Sequence, residues 1–132
     1  MNKAVGTFEV KINPLPPYNK SADAKLARMS IDKRFQGDLD ASSQGEMLSA
    51  GTDTKGSAGY VAIERVTGRL NDRSGSFALQ HNATLNRGAP YLNIVVIPDS
   101  GTGELAGLSG TMQIIIDKGK HSYEFEYGFS DA

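Results

Sequence analysis

The chain has 132 residues, enough for one domain with a buried core. Its 39% hydrophobic and 22% charged residues are those of a globular protein, and 15 glycines, against a usual share of roughly 7%, call for many turns and exclude disorder or a collagen-like chain. Fourteen basic against fifteen acidic side chains leave no positive excess to displace counterions from a nucleic acid, and the lack of cysteine excludes disulfides, thiolate metal sites and a cysteine nucleophile.

Met1 to Pro17 shows no charged start followed by an apolar run and a small-residue cleavage site, so a cytoplasmic location is expected. The apolar runs Ile94 to Ile97 and Ile114 to Ile116 fall far short of the roughly 20 residues that cross a bilayer as a helix, so no membrane partner is expected. From Val5 onward the dominant signal is alternation with period two, broken by Gly, Asn, Asp or Pro.

A first strand is expected over Val5 to Ile12, with Phe8, Val10 and Ile12 on one face and Glu9 and Lys11 on the other. Pro14, Pro16 and Pro17 argue against further pairing, which makes residues 13–23 a loop or arm able to serve as a lid. A second strand follows over Ala24 to Phe35, with Ala27, Met29, Ile31 and Phe35 on one face and a turn at Gly37. The third, Asp38 to Ala50, alternates Leu39, Ala41, Ser43, Gly45 and Met47 with polar residues, and its small side chains suggest a crowded or bent stretch. Gly51 to Gly59 reads as a hairpin loop and Tyr60 to Thr67 as strand four. After a turn at Asn71 to Gly75, strand five over Ser76 to Leu85 puts Phe77, Leu79, His81, Ala83 and Leu85 on one face. Strand six, Tyr91 to Ile97, is apolar at nearly every position and is expected to be covered on both sides. A glycine-rich corner at Ser100 to Gly110, with one helical turn over Glu104 to Leu108, leads to strands over Thr111 to Asp117 and His121 to Phe129. Eight short strands separated by turns suit a sandwich or a closed barrel. A single antiparallel β-barrel spanning residues 1–132 is preferred, because closure leaves no free edges.

Three segments carry a resemblance: Gly59-Tyr60-Val61-Ala62-Ile63-Glu64-Arg65, Arg73-Ser74-Gly75-Ser76-Phe77-Ala78-Leu79-Gln80-His81 and Ser100-Gly101-Thr102-Gly103-Glu104-Leu105-Ala106-Gly107-Leu108. In this order the chain resembles, from about Met29 to Phe129, the uncharacterised bacterial family known as domain of unknown function 3224. The resemblance implies a lipocalin-like barrel similar to that of plant allene oxide cyclase. It supplies no catalytic residues, and members of the family have no established reaction.

Candidate chemistry rests on a few polar residues that point inward if their faces line the barrel. His81 shares a face with Phe77 and Leu79, and His121 shares one with Tyr123, Phe125, Tyr127 and Phe129. An imidazole inside a barrel beside a carboxylate such as Glu64 or Glu46 would serve as a general acid or base. Glu64 and Arg65 must face opposite sides of their strand, so either the carboxylate or the guanidinium points inward. His81, Glu64 and His121 are the catalytic candidates, and Tyr60, Phe77, Tyr123 and Tyr127 the candidate ligand-lining residues.

Gly101-Thr102-Gly103 and Gly107 follow a strand but miss the dinucleotide spacing by one residue, and two distant histidines make no metal motif, so neither cofactor nor metal is expected. The leading expectation is a binder of a small apolar or amphipathic molecule in the barrel interior. One alternative is a cofactor-independent isomerase or cyclase in the same cavity. The other is a filled barrel that forms homo-oligomers through Tyr91 to Ile97.

Overall fold

In the computed structural model, which describes residues 1–21 and 25–130, strands β1 (Asn2–Leu15), β2 (Leu26–Gly37), β3 (Leu39–Gly51), β4 (Ala58–Leu70), β5 (Arg73–Asn86), β6 (Ala89–Val96), β7 (Leu108–Asp117) and β8 (Lys120–Phe129) follow one another around a closed antiparallel barrel. The expected single barrel of eight strands is the fold. Tight turns set its register. Asn71 takes a φ of 52° between β4 and β5, and Arg87 and Gly88 take 47° and 90° between β5 and β6, the positive values that two-residue hairpins demand. The end of the expected arm, residues 22 and 23, and the expected first residue of strand two, residue 24, lie outside the described residues. Among the described residues no helix is long and apolar enough to cross a membrane.

Two expectations need correction. Pro14 does not end β1, which runs on to Leu15 with Pro14 opposite Met29. The reason lies on the other side of the strand, where pairing with β8 stops at Thr7 and Ser122. Beyond that point β1 has a single neighbour, and a residue without an N–H is tolerated on such an edge. Nor is β6 covered on both sides, because Tyr91 and Leu92 are 55% and 42% exposed and only Ile94 and Val96 are buried. Its apolar run reflects one buried face at its C-terminal end and an outer face left bare.

The inward rows fill one end of the barrel completely. Phe35, Leu39, Val66, Leu70, Phe77, Leu79 and Phe125 form its core, with the Phe77 and Phe125 rings stacked at 5.9 Å and Tyr123 edge-on to Phe35 at 5.6 Å. Each such side chain contributes about 1.5–3 kcal/mol by leaving water. Leu105 caps this end from a 3-10 turn at Gly103–Leu105, a single turn that begins one residue earlier and ends three residues earlier than the sequence suggests. The loop that carries it is tied down by Thr102, whose N–H donates to Ser76 O at 2.8 Å. The Tyr123 hydroxyl accepts the Leu39 N–H at 2.9 Å, which satisfies polar atoms inside the plug.

The opposite end is built differently. Ile12, Leu92 and Ile116 belong to the inward rows yet are 47%, 42% and 65% exposed. There β6 and β7 do not pair, their contact at Val95 and Thr111 lying toward the filled end, and β1 has already parted from β8. The distal half of the β7–β8 hairpin therefore stands between two seams.

Candidate functional site

Four adjacent strands place one polar side chain each on the inner wall between the two ends: Lys33 on β2, Ser43 on β3, Glu64 on β4 and His81 on β5. Alternation decides this. Lys33 lies between Ile31 and Phe35 on the inward row of β2, and Glu64 between Ala62 and Val66 on that of β4. Lys33 is directly opposite Ser43, while Glu64 is offset by two residues from both Ser43 and His81, the diagonal spacing over which longer side chains meet. Gly45 faces Glu64 across the β3–β4 ladder. A Cβ there would lie 2.1 Å from the Ile63 carbonyl oxygen and 2.9 Å from Glu64 Cβ, so the small residue gives the carboxylate its space.

Glu64 is fully buried and accepts three hydrogen bonds. Ser43 Oγ donates to Oε1 at 2.7 Å, and Lys33 Nζ and His81 Nε2 both reach Oε2, at 2.8 and 2.6 Å. Burial by itself pushes the carboxyl pKa up. The hydrogen bond from His81, the charge and hydrogen bond of Lys33 and the charge of a protonated His81 together outweigh that push and bring it down to about 2. Glu64 is therefore ionised at neutral pH, with Lys33 as its counter-ion. The Lys33 ammonium also lies 5.2 Å from the Phe8 ring centroid and 5.7 Å from that of Phe35, aromatic neighbours that favour a desolvated cation.

A carboxylate only accepts, so the proton between His81 and Glu64 sits on Nε2, and in the neutral imidazole Nδ1 then carries a lone pair. No hydrogen bond reaches Nδ1, yet no buried side-chain nitrogen or oxygen among the described residues lacks a partner, so Nδ1 faces space that solvent reaches. The same holds for the Tyr60 hydroxyl, whose ring lies 6.3 Å from the imidazole. Burial and the charge of Glu64 raise the pKa of Tyr60 and keep it a phenol. An oriented imidazole acceptor and a phenol thus flank the accessible side of an ionised Glu–Lys pair.

The structure brings together two of the three catalytic candidates, Glu64 and His81, and sets Tyr60 beside them. His121 is half-buried against Phe8, 5.3 Å between rings, and makes no hydrogen bond to the cluster. Phe77, Tyr123 and Tyr127 lie in the filled end, where the Tyr123 hydroxyl bonds to backbone and that of Tyr127 to Asn71. Arg65 faces outward and donates to Ser76 Oγ at 2.9 Å. Lys33 and Ser43 were missed as functional residues, although their inward positions follow from the same alternation. Outside the barrel, Pro16 and Tyr18 border a concavity of about 1120 Å³ lined mainly by the outward-facing Leu48, Val61, Ile63, Gln80 and Asn82. Among the described residues no group of three or more His, Cys, Asp or Glu is placed to hold a metal ion.

Residues 4–127 match the family profile described as protein of unknown function, DUF3224. The crystal structure of a protein of unknown function from the DUF3224 family of Shewanella oneidensis MR-1 is similar with a TM-score of 0.96 at 52% sequence identity, covering 100% of this chain and 99% of that one. No curated protein matches the chain.

Proposed function

We propose, from the premise that this chain belongs to the DUF3224 family of proteins of unknown function, that it binds a small amphipathic molecule in the open half of its barrel, polar end toward His81 and Tyr60. The observation that carries this reading is the position of the Lys33–Glu64–His81 cluster between a packed end and an unpacked one. Burying a carboxylate and an ammonium costs free energy that two well-packed apolar residues would not, so the cluster is a poor way to build a core and a good way to orient a ligand. Beyond it, inward residues that would be buried in a filled barrel stay exposed, as Leu92 and Ile116 do.

Native mass spectrometry before and after mild denaturation, with a thermal-shift screen of fatty acids and other metabolites, tests the proposal. A retained mass or a stabilising compound is expected. No bound mass and no shift across chemically diverse compounds would contradict it.

One observation favours catalysis as a second reading. Glu64 orients His81 through a 2.6 Å hydrogen bond while the opposite ring nitrogen remains free, the arrangement of a general base and its orienting carboxylate. A cofactor-independent isomerase or cyclase would use it. Once a substrate is found, His81→Ala should abolish turnover with the fold intact by circular dichroism, and undiminished turnover would remove His81 from the chemistry.

A further inference from the structure

We infer that the polar end of the ligand is a neutral hydroxyl, alcohol or phenol, that donates to His81 Nδ1, and that carboxylates are rejected. The inference rests on the binding reading above and deepens it.

The charges of the site are already matched. Lys33 Nζ is bonded to Glu64 at 2.8 Å and lies 5.2 and 5.7 Å from the Phe8 and Phe35 ring centroids, so this ammonium offers no unmatched charge to a bound anion. Glu64 stays in place with both oxygens engaged. A ligand carboxylate at His81 would stand close to that buried carboxylate, with little water to screen the repulsion. With Lys33 matching Glu64, a neutral imidazole keeps the cluster at zero net charge.

The remaining polar valence is an acceptor. In the neutral imidazole the single proton, on Nε2, is committed to Glu64, so Nδ1 presents its lone pair to the accessible side. A ligand that donates a hydrogen bond satisfies it, and an ionised acid offers only further lone pairs. The Tyr60 hydroxyl, also without a partner, completes the reception by donating to the ligand oxygen. The apolar remainder has a defined route. Ile94 is opposite His81 in the β5–β6 register, and Leu92 and Ile116 lie farther along the inward rows beside the β6–β7 seam.

Naphthol and naphthoate, which share one ring system and differ in the head group, separate the possibilities. Nitrogen-15 NMR of the full chain near neutral pH should show His81 protonated on Nε2, with its Nδ1 resonance moving as naphthol is added. Naphthol should bind at least about tenfold more tightly than naphthoate, a ratio in the range by which sites reject a ligand that leaves a buried polar group unpaired. In His81→Phe, which keeps an aromatic ring and loses the acceptor, that preference should fall to about threefold or less. Tighter or equal binding of naphthoate, or an Nδ1-protonated tautomer in the free wild-type chain, would overturn the inference and leave the binding reading standing. Binding of neither compound, with the diverse thermal-shift panel also silent, would overturn both.

Discussion

The two ends of the barrel draw on the same inward rows and finish them in opposite ways. Leu70, Leu79 and Phe125 are at most 1% exposed at the filled end, whereas Ile12, Leu92 and Ile116, from rows of the same kind, stand between 42% and 65% exposed at the other. Residue type does not explain this, since the exposed side chains are as apolar as the buried ones. Closure does. At the filled end the β6–β7 connection carries Leu105 across the opening, and Tyr123 ties β8 to the start of β3. At the open end β8 has left β1 after Thr7, and β6 no longer pairs with β7, since Val95 and Thr111 pair toward the filled end. A row of isoleucines and leucines is a core only where neighbouring strands and a plug cover it, and the ionic cluster marks where that cover stops.

The comparison breaks or sharpens under a graded series of changes. Phe125→Ala, in the filled end, should cost about 3–5 kcal/mol in urea unfolding, because a packed aromatic leaves a cavity. A loss below about 1 kcal/mol would mean that this end is loosely packed. Glu64→Leu should cost a comparable 3–5 kcal/mol, because Lys33 is left buried without its partner. Adding Lys33→Met should recover a large part of that loss, and strictly additive losses would show that the two residues do not stabilise one another. Gly45→Ala should cost about 1–3 kcal/mol by forcing β3 from β4 where Glu64 needs room.

Acid titration sharpens the same point. The folded-state pKa of Glu64 lies below its ordinary value of 4.5, so the unfolded chain takes up this proton first as pH falls. The stabilisation is complete above about 4.5 and is lost as pH drops toward about 2. Removing the cation in Lys33→Met should move that loss to higher pH, and an unchanged acid limb in the unfolding midpoint would deny Lys33 its role. The smallest effect belongs to the open end. Ile116→Ala, on a side chain 65% exposed, should change stability by no more than about 0.5 kcal/mol. A loss of several kcal/mol would show that the end is closed in solution.

Much of this architecture was legible in the alternation. The inward rows through Phe8, Phe35, Leu39, Phe77 and Phe125 follow from period two, and eight such segments with turns between them define the barrel. Pairing partners were not legible. Pro14 extends β1 because β8 is no longer beside it, a fact about a strand more than a hundred residues away. The same gap in information made β6 read as doubly covered. At the site, Glu64 and His81 stood out as polar residues in apolar strands, but the choice between Glu64 and Arg65 depended on which face turned inward. Lys33 escaped notice because a lysine in a strand reads as a solvated residue, and only the buried carboxylate two strands away reverses that reading.

The most direct test of the half-filled barrel is a methyl NMR titration of the isoleucine, leucine and methionine side chains with naphthol. Shifts confined to Ile12, Leu92, Ile94 and Ile116, with Leu39, Leu70, Leu79 and Leu105 unmoved, are the predicted result. No shift at the open end, or shifts centred on the filled end, would contradict it.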